Sequence, residues 1–204
     1  MKYLLLFLLL ISLQGFSQGY DVQIAAYRDS YKNDFLKDGN SPLKKDDLAY
    51  LRFYDADSSY RITAKASILI DADAFNMPVI SGGKGAEYVP YALLKFSLKG
   101  KALELTVYRN LALSKRPGFA DYLFLPFTDE TNLRDTYAGG RYLDFREGDF
   151  QNGMLVVDFN KAYNPYCAFG GGYACPKPPE ENKLGLAIEA GEKNFARKKQ
   201  HQKN

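Results

Sequence analysis

The sequence predicts a mainly β domain, α+β by element count: an antiparallel β-sandwich or partly closed barrel with one amphipathic helix on its N-terminal side. Three observations carry that expectation. From residue 50 onward, runs rich in β-branched and aromatic residues alternate apolar with polar positions. Clusters of Gly, Pro, Asn and Asp interrupt those runs at the rhythm of consecutive antiparallel strands. No helical pattern lies between them, so the crossover helices of a parallel sheet are missing.

The chain starts with Met1-Lys2, an apolar run from Tyr3 to Leu13, and small residues at Gly15 and Ser17. That is the layout of a secretory signal peptide over residues 1–17, cleaved after Ser17. The apolar run of about 11 residues is too short for a membrane span, which needs roughly 20. No cysteine follows the cleavage region to take a lipid anchor, and no later segment is apolar enough to cross a bilayer. The expectation is an exported protein, periplasmic or extracellular, with a single β-rich domain over 18–192.

The helix is expected at 22–38. Ile24, Tyr27, Tyr31 and Phe35 form one stripe at spacings of three, four and four. Asp21 suits its start and Gly39 its end, and Pro42 then keeps Ser41 out of helical geometry. Strands are expected at 60–70, 121–127, 141–146, 154–160 and 184–190. In the 154–160 run, Leu155, Val157 and Phe159 share one face, and Val156, Asp158 and Asn160 the other.

The clearest hairpin is ALLKFSLKGKALELTVYRN (92–110). A two-residue loop at Gly100-Lys101 opposes Leu98 with Leu103, Phe96 with Leu105 and Leu94 with Val107, and a glycine in first place suits a type II′ turn. A loop at Lys99-Gly100 would oppose Leu98 with Lys101 and is expected to mix the faces.

Charge is uneven. The last twelve residues, 193–204, hold Lys193, Arg197, Lys198, Lys199 and Lys203 and no acid, so they read as a basic, disordered tail. Without those five and Lys2, the 27 basic residues fall below the 24 acids. A body without basic excess argues against nucleic acid as a partner.

Most familiar chemistries are excluded. The one histidine, His201, lies in the tail, where it cannot serve a triad or a histidine metal site. There is no nucleophile elbow, Walker loop or dinucleotide fingerprint, and SGGKG (81–85) lacks the residues that follow a phosphate cradle. The pairs Asp55/Asp57 and Asp71/Asp73 lack the glycine and glutamate of an EF-hand and read as turn and cap residues. No catalytic residue, cofactor or metal ligand is therefore assigned, and the oligomeric state is left open.

Cys167 and Cys175, eight apart in a chain expected to be exported, are expected to form a disulfide, stabilising by roughly 2–3 kcal/mol on the chain-entropy model. The glycines of AFGGGYA (168–174) ease the bend between them.

A resemblance then enters on long motifs. TYAGGRYLDF (136–145), VDFNKAYNPYCAFGGGYACPKPPEENKLGLAIEAGEK (157–193), SPL (41–43) and YDADSSYR (54–61) resemble a bacterial family known only as domain of unknown function 1684. The similarity spans nearly the whole mature chain. One departure is Lys177, where members often carry leucine after Cys-Pro. The resemblance implies kinship and no activity.

Its motif includes Arg141, Asp158, Asn160, Tyr163, Asn164, Glu180, Asn182, Glu189 and Glu192. One reading is structural: the asparagines bond the backbone of a proline-interrupted strap, and Arg141 clamps a carboxylate such as Glu180. The other is functional. A strap stiffened by a disulfide and Pro176, Pro178 and Pro179 loses little entropy on binding, and Tyr163, Tyr166, Phe169 and Tyr173 offer aromatic faces. The leading expectation is a non-enzymatic binding module for a cell-envelope glycan or small polar ligand, with Arg141, Asn160, Tyr163, Asn164, Glu180 and Asn182 as ligand-binding candidates. A carboxylate-dependent, glycosidase-like hydrolase using two of Asp158, Glu180, Glu181, Glu189 and Glu192 is the alternative. A structural or partner-binding envelope protein is the third.

Overall fold

The structure, a computed structural model, describes residues 2–197, with side chains from residue 19 onward. The side chains of the expected signal segment, and residues 198–204 with His201, lie outside the described residues. The helix α1 covers Lys2–Lys37. It ends within a residue of expectation, but it does not begin at Asp21, which lies in its interior. No helix among the described residues is long and apolar enough to cross a membrane.

Seven antiparallel strands follow: β1 Arg61–Ile68, β2 Phe75–Asn76, β3 Glu87–Leu98, β4 Lys101–Asn110, β5 Tyr122–Phe127, β6 Arg141–Arg146 and β7 Met154–Asp158. Their order is β6-β5-β4-β3-β1-β7, with β2 paired to β3. The sheet curls into a half-barrel and stops before β6 and β7 meet. Its concave face holds the core, in which Leu94, Leu105, Val107, Leu123, Leu125, Phe127, Val157 and Phe159 are wholly buried. Curvature is helped where Pro90, lacking an N–H, sits at a register break in β3 between Pro90 and Ala92.

The β3–β4 register differs from expectation. Leu98 pairs with Lys101, Phe96 with Leu103 and Leu94 with Leu105, around a turn at Lys99-Gly100. Both turn residues have positive φ (49° and 77°), the signature of a type I′ loop rather than type II′. The faces are not mixed, because moving the loop by one residue shifts each partner by two and preserves side-chain parity. All three expected oppositions move by two residues: Phe96 and Leu94 still face leucines, while Leu98, at the loop end, faces Lys101.

The expected strand at 184–190 does not form. Leu184, Ile188 and Ala190 are buried, but the segment is irregular: Leu184 and Leu186 bond the backbone of Thr128 and Glu130, and from Ile188 onward side chains serve its backbone. Ile188 N–H donates to Asp129 Oδ1 at 3.1 Å, and the carbonyls of Ile188 and Ala190 accept from the Arg141 guanidinium. The domain also extends past residue 192. Lys193, Asn194 and Ala196 donate backbone hydrogen bonds to Arg52, Asp135 and Tyr50, so the expected tail begins later than 193.

Cys167 and Cys175 are joined as a disulfide. Of the three glycines between them, only Gly172 has positive φ, 89°.

Candidate functional site

β6 carries the sequence RYLDFR, in which Arg141, Leu143 and Phe145 turn to the interior and Tyr142, Asp144 and Arg146 to the other side. Its inner edge is laddered to β5. On the outer edge, Tyr142 exchanges two backbone hydrogen bonds with Tyr163, at 2.9 and 3.1 Å. Two residues on, Asp144 turns its backbone groups the same way by the alternation of an antiparallel ladder. Across the opening, β7 bonds β1 through the positions alternating with Val156, whose own backbone faces outward.

A cleft of about 900 Å³ fills this opening of the half-barrel. Asp144 and Phe145 line it from β6, Val156 and Asp158 from β7, Tyr27, Tyr31 and Asp34 from α1, and Tyr163, Tyr166 and Pro176 from the strap. Tyr88, Tyr122, Phe124 and Tyr142 complete an aromatic floor, with Phe124 and Tyr142 edge-to-face at 4.7 Å and Tyr142 and Tyr163 perpendicular at 5.8 Å. The volume suits a small molecule.

Asp144 is the chemical centre of this cleft. Tyr122 and Tyr163 both donate their hydroxyls to its Oδ1, at 2.7 and 2.8 Å. The carboxylate is open to solvent in the cleft, yet the surrounding protein removes enough water to raise its pKa, an effect the two hydroxyls and the Arg146 charge partly oppose. Burial, with the Asp144 charge next in importance, raises the Tyr122 and Tyr163 pKa values well above normal, so both stay protonated donors.

Behind the wall, Tyr31 hydroxyl donates to Glu192 Oε2 at 2.8 Å, as does the Asn164 N–H at 2.8 Å. Glu192 is wholly buried, and burial pushes its pKa up to about 7 against the lowering pull of these donors and of Arg141. Its Oε1 and the Asn164 Oδ1 are both buried acceptors without a donor.

Of the residues named from sequence, Tyr163 lies in the cleft, Arg141, Asn160, Asn164 and Asn182 hold the fold, and Glu180 is exposed. Arg141 is buried and pairs with Asp129, not Glu180, which sits exposed in the turn Glu180–Asn182. Asn160 is buried, accepting from Asp57 N–H at 2.9 Å and donating to the Tyr20 hydroxyl and the Asp57 carbonyl at 2.8 Å each. Asn164 Nδ2 donates to the Lys193 carbonyl at 2.8 Å. Asn182 accepts from Thr106 N–H and donates to the carbonyls of Thr106 and Pro126, bridging β4 to β5 where their ladder fails. The ladder fails beside Pro126, which has no N–H to give.

Tyr166 also lines the cleft, whereas Phe169 packs on Phe35 and Phe195, and Tyr173 donates to the Asn40 carbonyl. Among the acids named for hydrolysis, only Asp158 reaches the cleft. It is already held by Tyr20 hydroxyl at 2.8 Å, Asn160 N–H and Nδ2 at 3.1 Å each, and Arg61 Nε at 3.9 Å. Glu181 accepts from Tyr108, and Glu189 is exposed. Asp57 caps the turn at Ser58–Tyr60, and Asp71 takes positive φ in its own turn. Among the described residues no three His, Cys, Asp or Glu side chains gather as a metal site.

Sequence reasoning missed Asp144 and Tyr122. The available signal was the polar-face pair Tyr142/Asp144 in RYLDF, alongside the tyrosines in the α1 stripe, but nothing in the sequence brings those elements together.

Residues 46–193 match a family model described as "Protein of unknown function (DUF1684)". That span contains Asp144, Tyr122 and Tyr163 and omits α1. No curated protein matches the chain. Among solved structures, the chain is similar to the solution NMR structure of an uncharacterized protein from Haloarcula marismortui. The two are 30% identical with a TM-score of 0.66, covering 87% of this chain and 95% of that one.

Proposed function

Since this chain belongs to the DUF1684 family of proteins of unknown function, whose name carries no activity, we propose a function from its cleft: a non-enzymatic binding module for a small polar ligand of the cell envelope. The observation that carries this reading is the tyrosine-walled opening of about 900 Å³ with the Asp144 carboxylate at its centre. Tyrosine faces cover the apolar side of a ligand such as a sugar ring, while Asp144 and the surrounding hydroxyls bond its polar groups. The walls stand on strands and a disulfide-closed strap, so little ordering is left for the ligand to drive. Binding is favoured over hydrolysis because Asp158, the one named acid in the cleft, already has four hydrogen-bonding or ionic contacts from three residues. The envelope location rests on the secretory leader expected at residues 1–17.

The test is a two-dimensional NMR titration with envelope monosaccharides and small amines. Shifts confined to Tyr122, Asp144 and Tyr163 are expected, and saturable shifts elsewhere, or none, would overturn the reading. N-terminal sequencing of protein recovered outside the cytoplasm should begin at Gln18. A retained Met1 on the mature protein would refute export.

A further inference from the structure

Resting on that reading, we propose that the cleft recognises an ammonium group: the ligand is a small polar molecule carrying an organic cation, such as an amino sugar, whose charged nitrogen sits against Asp144.

The Asp144 carboxylate of the cleft has no ion-pair partner among the described residues. Of the four acids lining the cleft, Asp34 pairs with Lys37 at 3.1 Å and Asp158 with Arg61 at 3.9 Å. Asp149 accepts from the Arg146 N–H at 2.7 Å at the surface. Asp144 has only two neutral hydroxyls, and no cation lies within ion-pair reach of it among the described residues. Arg146, its neighbour on β6, turns away to Asp121 Oδ1 at 2.6 Å and the Gly118 carbonyl at 2.7 Å. The cleft's own cations are likewise engaged, Arg61 with Asp158 and Lys161 over the Tyr27 ring at 5.4 Å. Asp144 faces the open cleft, partly stripped of water by the surrounding protein, and Arg146 acts on it only from beyond ion-pair distance, so a ligand cation is the group that would complete its pairing.

The walls fit the same group. Tyr122 and Tyr163 donate to the carboxylate, which enriches their rings in electron density and strengthens attraction for a cation over a ring face. Both hydroxyls converge on Oδ1, so neither bonds Oδ2, and two aromatic rings converge on the carboxylate. A neutral sugar would use the rings and the hydrogen bonds but leave the charge unmatched.

Calorimetric and NMR titrations of the full mature chain at pH 6.5 compare glucosamine with glucose, and choline with its neutral carbon isostere. We expect the cationic member of at least one pair to bind at Tyr122, Asp144 and Tyr163 at least tenfold more tightly than its neutral partner. Asp144→Asn, checked for native thermal unfolding, should reduce that preference to less than threefold. If glucose or the neutral isostere binds in the cleft as well as its charged partner, the ammonium inference falls while the binding-module reading stands. If wild-type preference survives in Asp144→Asn, the carboxylate is not the recognition element and the inference falls. If no probe of either charge perturbs the cleft, the inference falls together with the reading beneath it.

Discussion

Arg141 Nη2 donates to Asp129 Oδ2 at 2.8 Å, and both side chains are wholly withdrawn from solvent. The same guanidinium donates to the carbonyls of Ile188, Ala190 and Glu192, so one side chain secures a strandless C-terminal segment to the sheet. Arg141→Met leaves Asp129 as a buried, unpaired charge. We expect a loss of about 3–5 kcal/mol in urea unfolding. Adding Asp129→Leu should recover only part of it, because the carbonyls remain unpaired. Full recovery would show that the backbone bonds contribute nothing.

Asn182 supplies three hydrogen bonds between β4 and β5 from a fully buried site. Asn182→Ala should cost about 2–3 kcal/mol and speed hydrogen exchange at the Thr106 amide. Asn182→Asp should cost at least as much, since an ionised carboxylate accepts only and would face the Thr106 and Pro126 carbonyls. A milder effect for aspartate than for alanine would contradict this geometry.

Glu192 makes stability depend on pH. Its folded pKa is raised from 4.5 to about 7, so between those values the folded chain holds a proton that the unfolded chain has released. Its contribution is therefore complete below about pH 4.5 and is lost as pH rises through about 7. Compared with Glu192→Gln, the wild-type protein should lose stability between pH 5 and pH 8. Parallel stability curves for the two proteins would refute it.

Gly191 is held at φ 80°, and a Cβ there would meet the Phe159 and Ala162 carbonyl oxygens at 2.6 and 2.7 Å. Gly171, in the cystine loop, faces open space at ordinary φ. Gly191→Ala should destabilise by at least ~3 kcal/mol, and Gly171→Ala should stay within ~0.5 kcal/mol of wild type, both read by thermal unfolding. Equal effects would mean that the close approach at Gly191 relaxes freely.

Periodicity made five of the elements legible: the α1 stripe from Ile24 to Phe35, and β1, β5, β6 and β7 close to their expected spans. It failed where backbone partners come from side chains. Residues 184–190 have a strand-like apolar pattern, yet the backbone of Thr128 and Glu130 meets their first half and the side chains of Arg141 and Asp129 take the place of a neighbouring strand for the rest. The β3–β4 loop was misplaced because both candidate loops keep the same faces, leaving turn chemistry at Lys99 to decide. Asp144 was passed over because a charged residue on a strand's polar face ordinarily meets bulk water. Here α1 and the strap, more than 100 and about 20 residues away in sequence, wall that face in.

The opening between β6 and β7 has a consequence for how the molecule meets its own kind. On β6 the exposed backbone is confined to Asp144, since Tyr163 takes Tyr142 and Asp149 takes the Arg146 N–H. On β7, Gln151 takes Met154 before the edge is well begun, and the chain turns away at Phe159–Lys161. Neither rim offers a run long enough to template an incoming strand. Among the described residues, the half-barrel thus keeps an opening between its rims while exposing little free strand edge, a combination that an unbroken cylinder or a bare open sheet does not provide.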